Sequence, residues 1–369
     1  LAKLQAALKK VSTADGSSDA FKARGLQELH QVLEQLVPLA RKYHCVVDNP
    51  PYMGSGNMNA ELSAFVKTNY PAGKTDLMAC FMEAGLLQLR PKGFLGMINQ
   101  HSWMFLSSYE DLRVQLIKSV LFDSMLHLGP RTFPEIGGEV VQNTTFIFWN
   151  TSYQAKGTFV RLVDANKSEA KRQLALEAIA DDNCGWSYKA DQLAFAKIPS
   201  SPIGYWLDQK MVQLFKSGTL KDIGTGRNGI TTGNNERFLR EWYELAWSDV
   251  SATALSQEHS RWVPYRKGGS YQKWFGNNGL FLDWGTSGMA LSNTPNAIIR
   301  NSDYFFRKGV TWSLTGSGGF GARLCDYGGV FDVNGMTFFP DKEEDIPWIL
   351  AYLNTNLAEK LLEVINPTL

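Results

Sequence analysis

The chain has 369 residues, 44% hydrophobic and 20% charged, with a formal net charge of +1. This describes a globular chain with enough apolar content for one large or two ordinary domains, and it excludes polyanion binding through bulk charge, so any nucleic-acid surface has to be a local patch. No apolar run is long enough to span a bilayer, and Cys45, Cys80, Cys184 and Cys325 are scattered without metal-ligand spacing, so reduced thiols, a cytoplasmic location and no metal are expected.

Residues 1–20 are polar, with Gly and Ser around Thr13 to Ser18, and read as a mobile connection. From Phe21 to Lys42, apolar residues recur at helical spacing. Tyr43 to Val47 is a short apolar run that stops at Asp48-Asn49-Pro50-Pro51-Tyr52. Two successive prolines lack amide hydrogens and cannot continue a ladder. The run therefore reads as a strand ending at the carboxyl edge of a sheet, where α/β folds bind ligands. A Gly/Asn-rich loop, 54–59, follows. Thr75 or Asp76 is placed to cap a helix whose apolar face includes Leu77, Phe81 and Leu86. Arg90-Pro91-Lys92-Gly93 ends it, and Phe94 to Ile98 is the next strand. A helix beginning near Ser102 runs past Leu112, and His101 is exposed by pattern. Strands follow at Val120 to Leu128, Val140 to Trp149 and Lys156 to Val163, with a loop from Gly129 to Pro134 after the first. Ser168 to Ile179 is an amphipathic helix, and Ile198-Pro199-Ser200-Ser201-Pro202 marks a domain junction. The fold class is α/β, with boundaries at 1–165, a connector at 166–200 and a second domain at 201–369.

The loop after the first strand suits attack by a weak exocyclic amine. Such a nitrogen is planar and needs two acceptors off its plane; the Asn49 side-chain oxygen and the Pro50 carbonyl are candidates. Tyr52 supplies a flat face on which a base can stack. Asn49-Pro50-Pro51-Tyr52 resembles the (Asp/Asn/Ser)-Pro-Pro-(Tyr/Phe/Trp) signature of N6-adenine DNA methyltransferases. The resemblance implies S-adenosylmethionine as cofactor and the catalytic portion of a Rossmann-like class I methyltransferase sheet in residues 1–165. It gives catalytic roles to Asn49, Pro50, Pro51 and Tyr52, and places Asn49 and Phe81 near the cofactor. Tyr52 and Phe133 would sandwich an extruded adenine.

In the second half Gly, Asn, Trp and Tyr rise. Ser260 to Leu282 holds Arg261, Arg266, Lys267 and Lys273 and no acidic residue, interleaved with Trp262, Tyr265, Tyr271, Trp274 and Phe275. Lys210 to Arg240 holds six basic and two acidic residues. Basic groups with planar and amide side chains suit phosphate contact and base-edge readout. The Thr232-Gly233-Asn234-Asn235, Lys267-Gly268-Gly269, Lys273-Trp274-Phe275-Gly276-Asn277 and Ser317-to-Arg323 segments resemble the α+β target-recognition domains of type I specificity subunits. That implies double-stranded DNA as partner, with Arg227, Thr232, Asn234, Arg266, Lys267, Lys273, Trp274 and Arg323 toward it. Catalysis first and recognition second resembles the BREX phage-defence adenine methyltransferases, the PglX family, and implies other defence-system proteins as partners. A fused type II restriction–modification enzyme and a non-catalytic DNA-recognition subunit are the alternatives. No strand–Gly-x-Gly–helix unit precedes Asn49 and the chain starts on Leu, so a fragment without its N-terminal cofactor-binding motif is expected, inactive alone.

Overall fold

A computed structural model describes residues 1–13, 20–133, 141–250, 261–314, 319–326 and 329–365. The chain divides into two compact units, Leu1–Val212 and Gln213–Leu369.

The first unit opens with helices α1 (Ala2–Thr13) and α2 (Ala20–Leu39), so the expected mobile connection is helical over its described part. Then come β1 (Tyr43–Asp48), α3 (Ala60–Asn69), α4 (Leu77–Leu87), β2 (Leu89–Gln100), α5 (Glu110–Ser119), β3 (Leu121–Gly129), β4 (Asn143–Trp149), β5 (Gly157–Arg161), α6 (Ser168–Ala180) and β6 (Ser187–Ala190). The six strands form one mixed sheet in the order β1-β2-β4-β3-β5-β6. β1 runs parallel to β2 and β3 parallel to β5, while β4 is antiparallel to both of its neighbours. One face carries Leu95, Met97, Phe122, Met125, Phe146 and Phe148 under Met78, Ala79 and Met82 of α4 and Leu112, Leu116 and Ile117 of α5. On the other face, α6 covers β3 and β5 through Ala178 and Leu174 against Val160, Leu162 and Leu126. The β1 end of that face is bare: Val47, Phe94 and Ile147 are exposed.

The expected connector 166–200 is part of this unit. β6 pairs with β5, and Phe195, Ile198, Ile203 and Tyr205 are buried in the main core. Gln192 accepts from Phe122 N (2.8 Å) and donates to the Ile117 and Val120 carbonyls (2.7 Å each). The Ser200-Ser201 turn, read from its prolines as a junction, is locked. Both serines have left-handed φ values, 62° and 49°, a conformation costly for non-glycine residues. The fully buried Arg113 guanidinium donates to the Ser200 carbonyl (2.6 Å), the Ser201 carbonyl (3.1 Å), and the Trp103 and Leu106 carbonyls (2.9 and 2.7 Å).

Helix α7 (Gln209–Leu214) crosses into the second unit, which contains β7 (Gly224–Arg227), α8 (Asn235–Phe238), β8 (Leu239–Glu241), β9 (Trp262–Arg266), β10 (Leu280–Asp283), α9 (Met289–Ser292), β11 (Gly309–Trp312), β12 (Ala322–Cys325), β13 (Val330–Phe331), β14 (Thr337–Pro340), α10 (Ile346–Leu353) and α11 (Asn356–Ile365). Two four-stranded sheets result, β13-β9-β10-β8 and β12-β11-β14-β7. The terminal helix expected over Trp348 to Val364 is two helices. The Asn354 amide pairs both ways with Ala322, accepting from its N–H (3.0 Å) and donating to its carbonyl (2.9 Å). This side chain completes the end of β12 as a strand partner would, and the helix breaks there.

Replacing Arg113 with Met should lower unfolding stability by about 3 kcal/mol or more, since charge-assisted bonds to four carbonyls disappear together. Lys should not rescue it, because it lacks the planar fork. Urea unfolding of the variants checks this; an unchanged midpoint would show that the turn does not depend on the guanidinium.

Candidate active site

β1 is an edge strand, paired only with β2 among the described residues, and its last residue Asp48 lies opposite Met97. Beyond it burial alternates: Asn49 exposed, Pro50 buried, Pro51 exposed, Tyr52 half-buried against the main core. Among the described residues, the Asn49 side chain makes no hydrogen bond and no backbone amide donates to the Pro50 carbonyl. These two acceptors are therefore unused.

The far end of the loop is pinned. Asp76 accepts from Met53 N (3.1 Å) and, as N-cap of α4, from Met78 N (3.0 Å). Leu77 N returns a bond to the Met53 carbonyl (3.0 Å), and Ser55 N donates to the Thr75 carbonyl (2.8 Å). Aspartate suits this position because the helix N-terminus presents free amides and a favourable dipole. The sequence identified Asp76 as a possible cap; its hold on the loop required knowing where Met53 lies.

Burial pushes the Tyr52 phenol up, against a smaller opposing effect of a hydrogen bond from Asn143 Nδ2 (3.0 Å). The phenol is therefore neutral at ordinary pH. Neither Asn143 nor its neighbour Asn99 was singled out from the sequence, where single asparagines near strand ends carry no distinguishing pattern. His101, expected to be exposed, is buried. Its Nδ1 lies 2.9 Å from His127 Nε2, and His127 Nδ1 lies 3.0 Å from the Tyr205 hydroxyl. Burial is the largest cause lowering both histidines, His101 to about 4. With both neutral, Tyr205 can donate to His127, and His127 to His101.

Phe81 is not enclosed by the core as Met78 and Met82 of the same helix are; it is 38% exposed. Phe133 is half-buried at the end of the described part of its loop, and Pro134 lies outside the described residues.

In the second unit the expected DNA-facing residues separate into groups. Arg266 and Arg323 are not on the surface: they are 4% and 2% exposed. Arg266 donates to Asn278, and Arg323 to Ser313 Oγ (3.1 Å). Lys273 is tied to the α10–α11 junction, donating to the Asn354 carbonyl (3.2 Å) with Glu359 at 3.9 Å. Thr232 is buried and bonds Asn235 (2.6 Å); Asn234 is exposed and caps α8 through Arg237 N (3.0 Å). Ser317, from the Ser317-to-Arg323 segment, lies outside the described residues. Lys267 lines an open cavity of about 310 Å³ with Gly268, Gly269, Leu280, Ser313 and Asn334. Trp274 is exposed at a left-handed φ of 75°, with Tyr271 and Phe275 also exposed nearby in sequence. A bulky residue held in that conformation marks strain at a site worth its cost. Arg227 stacks on Tyr304 (4.9 Å), and exposed Arg307, which the sequence reading passed over, stacks on the same ring (5.1 Å). Among the described residues no cluster of His, Cys, Asp or Glu can hold a metal ion, and no helix is long and apolar enough to cross a membrane.

Residues 4–133 match the Eco57I restriction-modification methylase family. The fold over 83% of the chain resembles 42% of the type IIL restriction-modification enzyme MmeI in complex with DNA, at a TM-score of 0.52 and 11% identity. The particular kinship is closer. The chain is similar along nearly its whole length to a segment of proteins named adenine-specific methyltransferase PglX and BrxX. It is 39% identical over 93% of its length to PglX of Lacticaseibacillus casei (strain Zhang), and 37% identical over 100% to BrxX of Escherichia coli O9:H4 (strain HS). It spans 30% of the length of each of these curated relatives.

The histidine pair makes a pH prediction. A histidine lowered from 6.5 to about 4 on folding contributes stability that is complete above pH 6.5 and is lost as pH falls toward 4. Unfolding free energy should drop over that window by up to about 1.4 kcal/mol per pH unit for each histidine. Thermal unfolding from pH 4 to 8 checks it: a His101→Gln variant should show a shallower fall than the parent, and equal slopes would contradict it.

Proposed function

We propose that the chain carries the target-base site and the recognition domain of a site-specific DNA adenine-N6 methyltransferase that uses S-adenosylmethionine and marks host DNA in a phage-defence system. The carrying observation is the Asn49-Pro50-Pro51-Tyr52 loop at the carboxyl end of β1, with two unused acceptors beside a half-buried aromatic. Kinship to adenine-specific methyltransferases supports the reading. The first unit, Leu1–Val212, is the catalytic portion, and the second, Gln213–Leu369, is the target-recognition domain of the specificity-subunit kind.

Adenine N6 is blocked by pairing inside a duplex, so the base has to leave the helix. Tyr52 stacks one face of it, and Phe133 closes the other. Asn49 Oδ1 and the Pro50 carbonyl accept the two N6 hydrogens, drawing the nitrogen from planar toward tetrahedral and turning its lone pair outward. The stiff proline pair holds the acceptors in place, so positioning supplies most of the rate. S-adenosylmethionine, when bound, supplies an electrophilic methyl carbon. The residues present fit one side of such a group: Asn49 is exposed at the sheet edge and Phe81 offers an uncovered ring. In the second unit the accessible groups Lys267, Asn234, Trp274, Arg227 and Arg307 contact DNA; Arg266, Arg323, Thr232 and Lys273 shape the domain beneath them. Other defence-system proteins are its partners.

In the protein that carries this chain, Asn49→Ala should reduce methyl transfer to DNA at least 100-fold while DNA affinity changes less than about twofold, measured by radiolabel incorporation and fluorescence anisotropy. Retained transfer would sink the catalytic reading. Lys267→Ala should lower the salt dependence of DNA binding by about one unit of slope. An unchanged slope would remove Lys267 from the DNA face.

A further inference from the structure

Two asparagines lie beside the signature loop on adjacent strands. Asn143 opens β4 opposite Gln100, and Asn99 lies opposite Thr144 in the same antiparallel pair. Both are enclosed, at 1% and 0% exposure. Asn143 Nδ2 donates to the Tyr52 hydroxyl (3.0 Å) and reaches the Asn99 carbonyl at 3.5 Å. Among the described residues, Asn143 Oδ1 and both polar atoms of the Asn99 side chain have no hydrogen-bond partner. An unsatisfied buried amide is costly, and an aliphatic side chain would fill either place without that cost. Polar groups kept at such a disadvantage call for a reason beyond packing. Among the described residues, the one bond that Asn143 makes to another side chain is to the Tyr52 hydroxyl of the signature loop.

That ring needs an anchor. The Tyr52 hydroxyl has a second contact, to the Ile98 carbonyl, at a long 3.5 Å. The backbone before it is set by prolines and the backbone after it by Asp76. Neither fixes the side-chain torsions. The bond from Asn143 does, because it holds the far end of the ring to a residue of the central sheet. A half-buried ring held this way loses no rotamer freedom when a base stacks on it, a saving of about 0.5–1.5 kcal/mol.

We propose that Asn143 is a positioning residue of the target-base site: through the Tyr52 hydroxyl it presets the ring as the stacking face for the extruded adenine, with Asn99 behind it. This rests on the reading of Tyr52 as that stacking face. Asn143 touches neither reacting atom, so its loss acts on binding of the extruded base, before chemistry.

The test is a double-mutant cycle in the protein that carries this chain, using genomic DNA from cells lacking its gene as substrate. Asn143→Ala and Tyr52→Phe remove the same bond from opposite ends. Each should raise KM for DNA about 3- to 10-fold with kcat nearly unchanged, and the double variant should be no worse than either single one. Should Asn143→Ala fail to fold, as judged by its Tm, Tyr52→Phe carries the test, and an unchanged KM there overturns the proposal. Effects that multiply in the double variant also overturn it, since Asn143 would then act on something other than the hydroxyl. Tyr52→Ala separates the two levels of the argument. If it leaves KM and kcat intact, the stacking role of Tyr52 fails and the proposal falls with it. If it impairs methylation while the cycle shows no coupling, only the role of Asn143 is lost.

Discussion

The structure of the site depends on one carboxylate. Asp76 uses a single side-chain oxygen to receive the Met53 amide from the signature loop and the Met78 amide from the first turn of α4. The loop leaves β1 through two prolines that have no amide to donate to a ladder, so its near end is stiff and its far end would otherwise be loose. By joining that far end to a helix packed on the main core, Asp76 makes the four-residue loop a rigid bracket. The Asn49 and Pro50 acceptors then stay unused without collapsing onto each other or onto neighbouring amides. A site that acts by position needs this, because small displacements of such acceptors lose most of their effect.

The rest of the first unit serves the same end. Asn143 reaches Tyr52 from β4, the antiparallel strand inserted between β2 and β3, and the buried histidines continue the polar line across the same strand ends to Tyr205. Arg113 draws the Ser200-Ser201 turn onto the core, which brings Tyr205 and Trp206 within stacking distance of His127. Residues far along the chain, Tyr205 and Trp206, thus pack against the buried His127.

What was legible in the sequence follows from what each signal physically encodes. Asn49-Pro50-Pro51-Tyr52 was legible because prolines after a β-branched run stop a strand, wherever the rest of the chain goes. Phe81 was assigned to the packed face of α4, where Leu86 does pack, because Leu77 to Met82 is apolar all round, and a helix of that kind does not announce which side it buries. His101 was misread because alternation along β2 continues past the strand into a buried turn, and its partner lies 26 residues away. Charge on β9 and β12 was visible, but burial was not: Arg266 and Arg323 read from sequence like Lys267, and only the fold separates two enclosed guanidiniums from a lysine beside an open cavity. Gly and Ser near Thr13 suggested a mobile lead-in, and they outweighed the helical spacing of Leu4, Leu8 and Val11 in α1.

The central claim is that this loop methylates adenine at N6. The most direct measurement is a map of modified adenines across the genome of cells carrying the intact protein or its Asn49→Ala form. N6-methyladenine should appear at one short motif in the first and be absent there in the second. The same motif methylated in both would contradict it.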